Sequence, residues 1–416
     1  MRKLTLMRFF SAPPFIRRNV LQAGGVFYDV SGFISDPRRT GIQRVMYEIL
    51  RNWTGSSPLI PGFIHQESGK ATLLPSIFYD LISEYFSGAH RANNHEMEEK
   101  IRKLAYSHFP VTIKPDQLNS FRGFLNVESF HDPKRITFYD HLLDRFEKRV
   151  HWVVHDALLW QHPEYFPPKS PETARDYLRI LRRIPNIHFV SPDTKQEFYQ
   201  RGLLTERSTY RVCLLGSDGF GRAKPALSCP SRRFTYFGTI EPRKHHRKVL
   251  DAFDDMWARG INAELCFSGK LGWDAAREGW LPNQIGTELE SRGACSACFK
   301  WHRDLPDAVA REIIISSRAT IYASEAEGYG LPPLESLALG VPVIASAALP
   351  SLKMLPEFGQ IRLPVMSARA ISNAVLQLLH EEVAAQKRTE ISALHLPTWR
   401  STAESLRAAI VPEDST

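Results

Sequence analysis

The stretch EAEGYGLPPLESLALGVP, residues 325–342, places two glutamates, Glu327 and Glu335, around a loop that contains glycines and a Pro-Pro pair. Because proline is tolerated in the first turn of a helix, the pair predicts that a helix begins there and ends at Gly340. The preceding run ATIYAS, residues 319–324, is typical of a buried strand. Open parallel sheets bind ligands beyond the carboxyl ends of their strands, so this loop is a candidate ligand site.

Strand and helix patterns alternate over most of the chain. VFYDV (26–30) predicts a strand, and TGIQRVMYEILRNW (40–53) predicts an amphipathic helix. Ser191, with a proline directly after it, predicts the cap and first turn of a helix over 192–201. Strands that alternate with helices indicate parallel sheets covered on both faces. The predicted fold class is therefore α/β, with two Rossmann-like doubly wound domains facing a central cleft.

The length of 416 residues suits two domains, because a single core stops growing at about 250–300 residues. The predicted segments are a basic N-terminal extension over 1–24, an N-terminal domain over 25–215, a linker over 216–232, a C-terminal domain over 233–395 and a C-terminal helix within 396–416. Between 66 and 135 the sequence is irregular and polar, and only a helix near 96–106 is predicted there.

The charge balance points to an anionic partner. A net charge of +8 and a pI of about 9.2 fit nucleic acid, a phosphorylated ligand or an acidic membrane surface, or a surface that is simply rich in arginine. A hydrophobic content of 43 % excludes a disordered chain. No run approaches the roughly 20 apolar residues of a membrane-spanning helix. Arg8 and the Pro13-Pro14 pair interrupt any signal-peptide core, so the start is interpreted as a basic extension.

The cysteines give no disulfide framework, since there are five of them and they are scattered. Cys295 and Cys298 form a lone CxxC, for which zinc binding or redox activity is the alternative. The favoured interpretation is a reduced loop in a cytosolic protein.

The quoted loop has the chemistry of a phosphate and diol site. Gly328 and Gly330 let the main chain approach a ligand, and the free amides of a helix N-terminus suit a phosphate. Glu335, placed in the first helical turn, can accept hydrogen bonds from both hydroxyls of a vicinal diol such as ribose. Glu327 would face the other end of the same ligand. The alternative is a helix-capping acid at 335 and a solvated charge at 327.

A second strand-end loop, in FGTIEPRKHHRKVLDAF (237–253), carries Arg243 and Lys244. A phosphate group that gains negative charge during a reaction needs either a divalent cation or fixed basic groups. No Asp-x-Asp follows a strand, so metal-independent chemistry without a cofactor is predicted. The alternative is a solvated basic turn, and residues 245–248 are predicted to be solvated.

Two loops of the first half are further candidates. Thr40 can cap the helix that follows it, and Gly41 permits close approach of its backbone to a phosphate. His155, after the strand WVVHD, could hydrogen-bond a ligand at that strand end. The alternative for His155 is a satisfied strand-end histidine.

The string EGYGLPPLESLALGVPVI closely resembles the signature of glycosyltransferase family 4, the group 1 retaining sugar-nucleotide transferases of GT-B fold. The resemblance implies that Glu335 binds the donor ribose and that Glu327 contacts hydroxyls of the donor sugar. It also implies that main-chain amides lie along the sugar and diphosphate: Gly328, Tyr329, Gly330 and Leu331. The first domain would bind the acceptor and the second the donor, with the last helix crossing back to the first domain.

Shorter strings extend the resemblance. GTIEPRK is similar to the family's diphosphate-binding loop, with Thr239 where many relatives have arginine, and it implies Lys244 and then Arg243 as diphosphate ligands. CFSGKLGW implies Lys270 as a second phosphate ligand, and TGIQRV implies that Gly41 approaches the donor phosphate. The candidate catalytic residues are Glu327 and His155. Neither is predicted to be a catalytic base.

The implied function is transfer of a hexose, with GDP-mannose as the first choice of donor, to a glycan or lipid-linked acceptor in bacterial polysaccharide or lipopolysaccharide synthesis. The expected partners are the nucleotide sugar, the acceptor and an anionic membrane surface, with no nucleic acid, metal or cofactor. The expected location is cytoplasmic, peripheral on the inner face of the plasma membrane. The alternatives are a sugar-nucleotide epimerase of the same fold and a basic nucleic-acid-binding protein.

Overall fold

The computed structural model describes residues 24–87, 94–107, 110–166, 170–205, 209–226, 228–272, 282–295, 297–303 and 305–412. The chain divides into two compact units. Unit 1 comprises residues 1–215 together with 398–416, and unit 2 comprises residues 216–397. The basic extension predicted over 1–24 lies almost wholly outside the described residues.

Unit 1 is built on a mixed sheet of eight described strands. They are β1 (Val26–Asp29), β2 (Leu59–Ile64), β3 (Ala71–Leu73), β4 (Val111–Thr112), β5 (Gly123–Asn126), β6 (Val150–Val154), β7 (Asn186–Phe189) and β8 (Thr209–Val212). Their order is β4-β3-β2-β1-β5-β6-β7-β8. Strand β3 pairs antiparallel with both β2 and β4, and the other described pairings in this sheet are parallel. The parallel part carries helices between its strands, which is the arrangement that the alternating patterns predict.

The helices of unit 1 before its last segment are α1 (Ser31–Ser35), α2 (Gly41–Asn52), α3 (Ile77–Ser87), α4 (Asn94–Ala105), α5 (Pro133–Phe146), α6 (Leu158–Gln161), α7 (Ser170–Thr173), α8 (Arg175–Leu181) and α9 (Pro192–Gln200). Short 3-10 turns occupy Pro115–Ser120, Glu147–Arg149 and Pro163–Tyr165. The helix predicted near 96–106 is therefore α4, and the irregular stretch around it contains α3 and three short strands that sequence patterns did not reveal.

Unit 2 is built on a sheet whose six described strands are all parallel. They are β9 (Arg233–Phe237), β10 (Glu264–Ser268), β11 (Phe299–His302), β12 (Ala319–Tyr322), β13 (Val343–Ser346) and β14 (Gln360–Leu363), in the order β11-β10-β9-β12-β13-β14. The chain crosses from β11 to β12 on the far side of β9. This change of direction beside β9 is where doubly wound sheets bind ligands.

The helices of unit 2 are α10 (His246–Ala258), α11 (Pro282–Cys295), α12 (Asp307–Ile315), α13 (Leu331–Ala338), α14 (Pro350–Lys353), α15 (Ala368–Leu379) and α16 (Glu381–Ile391), with a 3-10 turn at Pro242–Lys244. The last helix, α17 (Trp399–Ile410), lies in unit 1 and packs against α2. No helix within the described ranges is long and apolar enough to cross a membrane.

The segment 216–232, predicted to be a linker, belongs to unit 2. Phe220 is buried in an apolar cluster with Ile314 and Val341, and the Ala223 N–H donates to the Ala338 carbonyl. The prediction was wrong for this segment because its polar composition hides one anchoring aromatic ring, whose partners lie about 100 residues away in the sequence.

Candidate functional site

Three strand-end loops meet at the carboxyl edge of the unit 2 sheet. The basic loop (238–245) follows β9, a short loop (269–272) follows β10, and the glycine loop (323–330) follows β12. The first two are in backbone contact, since a Cβ on Gly269 would lie 1.9 Å from the Gly238 carbonyl oxygen. Only glycine at 269 permits this approach, which holds the two loops side by side.

Arg243 joins the basic loop to the glycine loop. Its Nη1 lies 2.6 Å from Glu327 Oε1 and donates to the Ala326 carbonyl at 2.9 Å. Its Nη2 lies 2.7 Å from Glu241 Oε2 within the basic loop. The main chains are also linked, because the Glu325 N–H donates to the Arg243 carbonyl at 2.8 Å. Both loops are thus fixed by one residue.

The Glu327 carboxyl is ionised at neutral pH. Burial raises its pKa, but the charges of Arg243 and Lys244, with hydrogen bonds from Arg243 and Ser324, outweigh that effect and hold the pKa below its ordinary value. Ser324 Oγ donates to Glu327 Oε1 at 3.0 Å. An ionised carboxylate accepts hydrogen bonds and donates none, so Glu327 can bind hydroxyl groups and is not a proton donor.

Lys244 lies beside the main chain at the end of β9. Its Nζ is 3.5 Å from Thr239 Oγ1 and 4.0 Å from Glu241 Oε1, and it is 3.4 Å from the position that a Cβ on Gly238 would take. Its carbonyl accepts a hydrogen bond from the Tyr236 hydroxyl at 2.7 Å, which anchors the residue to β9. This hydrogen bond to the Lys244 backbone keeps the ammonium group close to the end of β9.

The sequence predicts that residues 245 and 246 are both solvated, and for His246 this prediction is wrong. His246 is buried, and its ring stacks on that of Tyr236 with centroids 4.2 Å apart. Burial and the nearby Lys244 charge keep its pKa well below the ordinary value, so the ring is neutral. His245 adopts a left-handed backbone with φ of 51°, and its Nε2 lies 3.0 Å from Glu325 Oε2. Because His246 stands among basic residues in the sequence, its place in the core was not predicted.

The glycine loop ends in a left-handed turn at Gly330, where φ is 91°. Ser351 Oγ donates to the Gly330 carbonyl at 2.7 Å, and the Ser351 N–H donates to the Tyr329 carbonyl at 2.9 Å. Gly328 and Tyr329 are buried, while Leu331 begins α13 and is half-buried. The turn presents the N-terminus of α13 at the sheet edge, as the sequence predicts.

Glu335 lies in the second turn of α13, so its placement in the first turn was wrong. The helix begins at Leu331, before both prolines, and Glu335 is its fifth residue. Glu335 is 2 % exposed, next to a buried pair in which Tyr322 Oη and Ser336 Oγ lie 3.0 Å apart. Its position in the second turn contradicts the alternative of a helix-capping acid. The third phosphate candidate, Lys270, is exposed, and its carbonyl accepts the Ile240 N–H at 2.8 Å.

The candidates of unit 1 are placed as follows. Gly41 is the exposed first residue of α2, with no atom within 4 Å of the position that a Cβ would take, and Thr40 Oγ1 accepts the Gln43 N–H. His155 Nε2 lies 2.8 Å from the Val127 carbonyl oxygen, so that nitrogen carries the proton. Burial lowers the His155 pKa, although the Val127 carbonyl and Asp156 oppose the shift. The imidazole is therefore neutral.

Sequence reasoning missed an ion cluster at the carboxyl edge of the unit 1 sheet. Arg135 is buried, with its Nε 2.8 Å from Asp29 Oδ2 and its Nη2 2.9 Å from Glu128 Oε2. Glu128 also accepts the main-chain N–H groups of Gly32 and Phe33, at 2.7 and 2.9 Å. The sequence shows a carboxylate, Asp29, at the end of the strand VFYD. It does not show that Arg135 is its partner, because that residue is far away in the chain.

No three His, Cys, Asp or Glu side chains in the described part of the chain come together as a metal site. Cys298, one of the CxxC pair, is half-buried and carries a thiol rather than a disulfide. The side chain of Cys295 lies outside the described residues.

Comparison with known proteins finds a family match within the second unit. Residues 221–393 match the family described as glycosyl transferases group 1. The serotype-specific mannosyltransferase WbdA of Escherichia coli is 26 % identical over 396 residues, which is 91 % of this chain and 45 % of the relative. The O-antigen chain mannosyltransferase B of Escherichia coli is 30 % identical over 149 residues, 35 % of this chain and 36 % of the relative. The chain thus spans about half the length of the curated relatives it matches.

Solved structures share the fold. Anabaena Alr3699/HepE, solved with UDP and glucose, superposes with a TM-score of 0.63 at 10 % sequence identity. The superposition covers 94 % of this chain and 100 % of the Anabaena chain. Sucrose-phosphate synthase from Thermosynechococcus elongatus gives 0.52 at 16 % identity, over 76 % of this chain and 78 % of that one. These likenesses confirm the predicted GT-B fold class.

Proposed function

We propose that the chain, whose residues 221–393 match the family of group 1 glycosyl transferases, transfers mannose from GDP-mannose, with retention, to a lipid-linked glycan of an O-antigen. The choice of mannose and of O-antigen synthesis is supported by similarity to two longer mannosyltransferases. GDP is the proposed nucleotide because the GTIEPRK string resembles the diphosphate-binding loop of mannosyltransferases.

The observation that carries the proposal is the ion pair that joins the basic loop to the glycine loop. Arg243 brings the Glu327 carboxylate within 2.6 Å of its guanidinium, so a cationic loop and a hydroxyl-binding acid occupy one sheet edge. We assign the diphosphate to Lys244 and to the main-chain amides of 328–331. Glu327 binds hydroxyls of the donor sugar. Glu335, which lies on α13, binds the two ribose hydroxyls.

In the proposed reaction the bond between the sugar C1 and the phosphate oxygen breaks while C1 bonds to the acceptor hydroxyl oxygen. The acceptor's proton passes to the departing phosphate oxygen on the same face, which leaves the anomeric configuration unchanged. Lys244 stabilises the charge that develops on the diphosphate. Glu327 is ionised, so it orients and polarises the sugar without donating a proton.

His155 and Gly41 stay predictions as contributors to this reaction. The neutral His155 commits its Nε2–H to the Val127 carbonyl, which leaves Nδ1 as a hydrogen-bond acceptor. Peripheral binding to an anionic membrane is a further part of the proposal, supported by the net charge of +8. Failure to co-sediment with anionic liposomes at low salt would remove that part alone.

The test begins with thermal shift against GDP, UDP, dTDP and ADP and their sugars, because a ligand that binds only the folded state raises the melting temperature. We expect a shift with GDP and GDP-mannose that Glu335→Gln reduces. The matched control is Glu382→Gln, an exposed acid on α16 in the same unit.

A transfer assay with GDP-mannose and a mannoside acceptor completes the test, with the anomer of the product assigned by NMR. Formation of an α-linked product from the α-linked donor supports retention. A shift with another nucleotide would replace GDP-mannose as the donor. Conversion of the sugar nucleotide to its epimer without any acceptor would favour the epimerase alternative, and no shift with any nucleotide would refute the transferase.

A further inference from the structure

We propose that Arg243 is a positioning residue for Glu327 rather than a ligand of the donor phosphate, that Glu241 holds Arg243 in that role, and that Lys244 is the side chain of the basic loop that binds the diphosphate. The inference rests on the proposed function and deepens it, because it assigns separate tasks to two adjacent cations.

The first argument is the geometry of the guanidinium. Arginine presents its N–H groups in a rigid planar fork that matches carboxylates. In Arg243 both terminal nitrogens already face acids, Nη1 at 2.6 Å from Glu327 Oε1 and Nη2 at 2.7 Å from Glu241 Oε2. These separations are those of charge-assisted hydrogen bonds. The fork is therefore directed along the loops, from one carboxylate to the other.

The second argument is electrostatic. The side chains of Arg243, Glu241 and Glu327 are only 14, 15 and 19 % exposed, so their interactions are weakly screened by solvent. A phosphate that took the guanidinium would leave two carboxylates without it, beside the new negative charge. Like charges in a poorly hydrated site repel strongly. Donor binding that leaves the Arg243 pairs in place avoids this penalty.

The third argument is that the surrounding backbone is built around these pairs. Arg243 also donates to the Ala326 carbonyl at 2.9 Å, and its own carbonyl accepts the Glu325 N–H. Glu241 fits closely against the loop after β10, since a Cβ on Gly272 would lie 2.6 Å from Glu241 Cγ. A glycine at 272 therefore makes the room that the Glu241 side chain occupies.

Lys244 differs from its neighbour in each of these respects. Its nearest carboxylate oxygen, on Glu241, is 4.0 Å away, and its hydroxyl contact with Thr239 is 3.5 Å long. Its ammonium lies over Gly238, where the lack of a side chain leaves the strand end open. A compact ammonium with weak partners can turn to an incoming phosphate without breaking a close ion pair.

The experiment separates binding of the diphosphate from action on the sugar. GDP and UDP, which lack a sugar, are titrated into the wild type and into Arg243→Gln, Glu241→Gln, Glu327→Gln and Lys244→Gln. The kcat and KM for GDP-mannose are measured as release of GDP. The control is Arg259→Gln, an exposed arginine at the end of α10. Unfolding temperatures of all variants are recorded.

We expect Lys244→Gln to weaken nucleotide binding about tenfold, while Arg243→Gln and Glu241→Gln leave the dissociation constant within about twofold of the wild type. In those two variants kcat falls at least about tenfold with little change in KM, because Glu327 is misplaced. Arg243→Gln combined with Glu327→Gln should be no slower than Glu327→Gln alone, since Arg243 acts through Glu327. The isosteric Glu241→Gln tests the same point if Arg243→Gln folds poorly.

Weakening of GDP or UDP binding by Arg243→Gln as large as that by Lys244→Gln, in a folded protein, would make Arg243 a phosphate ligand and overturn the inference. Additive losses in the double variant would also contradict it. A wild type that binds neither nucleotide would instead refute the proposed function, and the assignment would fail with it.

Discussion

His151 and His188 form a buried pair on neighbouring strands of unit 1, with Nδ1 of the first 3.1 Å from Nε2 of the second. Burial, then His188, then Arg211 lower the pKa of His151 to about 3. Burial and then Arg211 lower the pKa of His188 to about 4. Both rings are therefore neutral in the folded state well below the pH at which free histidine takes up a proton.

Acid is therefore expected to destabilise unit 1 in a defined window. An unfolded histidine binds its proton near pH 6.5, whereas the folded pair does not, so the unfolded state binds more protons as the pH falls from 6.5 towards 4. The free energy of unfolding should drop by about 1.4 kcal/mol per pH unit per histidine in that window. Urea unfolding at pH 7.5 and 5 measures the drop.

The matched variant is His188→Gln, which keeps a hydrogen-bonding group opposite His151 but cannot take up a proton. Its unfolding free energy should depend less steeply on pH than that of the wild type over the same window. An unchanged slope would show that other groups cause the acid sensitivity.

Gly269→Ala is expected to disrupt the candidate site from within the sheet edge. The added Cβ would lie 1.9 Å from the Gly238 carbonyl oxygen, which forces the basic loop away from the loop after β10. Such a backbone clash should lower the free energy of unfolding by about 3 kcal/mol, the upper end for overpacking. Chemical denaturation measures this loss, and nucleotide binding should fall with it.

The control for Gly269 is Gly293→Ala, also in unit 2. Gly293 lies within α11, and no atom is within 4 Å of the added Cβ. Alanine there should stabilise the protein by roughly 0.5–1 kcal/mol, because it restricts the unfolded chain and favours the helix. Equal behaviour of the two variants would mean that the loop contact is not tight.

Arg135→Met should destabilise unit 1, because Asp29 and Glu128 would lose a buried cation. Breaking a buried pair from one side costs about 3–5 kcal/mol. Burial, more than any other cause, raises the pKa of Glu128, and loss of the arginine would raise it further. The difference in unfolding free energy between variant and wild type should therefore shrink as the pH is lowered and Glu128 takes up a proton.

The control for Arg135 is Arg175→Met, since Arg175 is exposed on α8 in the same unit. That variant should unfold within about 0.5 kcal/mol of the wild type. A loss as small at Arg135 would show that water or other groups satisfy the two carboxylates when the guanidinium is removed.

Transfer from the nucleotide sugar is expected to continue when divalent cations are removed with EDTA. Lys244 and the amides at the start of α13 supply the positive charge that a metal would otherwise bring to the departing diphosphate. The measurement is the initial rate of nucleotide release with EDTA and with added Mg²⁺. Loss of activity in EDTA that Mg²⁺ restores would show that a cation is required.

Local features were predictable from the sequence because the groups involved are neighbours in the chain. Ser191 Oγ accepts the Thr194 N–H at 3.0 Å, and the helix runs over Pro192–Gln200 as its cap and proline predict. Thr40 caps α2 in the same way. The order of strands and helices, and the glycine turn before α13, follow from periodicity and from proline and glycine placement.

Contacts between distant segments were not predictable. The Arg243–Glu327 pair joins residues 84 positions apart by their numbers, and Asp29 meets Arg135 across 106 positions. His246, within a run of basic letters, is in the core because Tyr236 on β9 stacks on it. No pattern in one segment specifies the partner that another segment brings to it.

The sequence by itself determined the two-unit α/β architecture, the loops that follow the strands and the acids and bases that those loops carry, because local propensity and hydrophobic period specify these features. The tertiary structure decided which charges pair: it directed Arg243 to two carboxylates and left Lys244 with weaker partners. Ion pairing depends on distances of a few ångströms across the sheet edge, and only the packed fold establishes those distances.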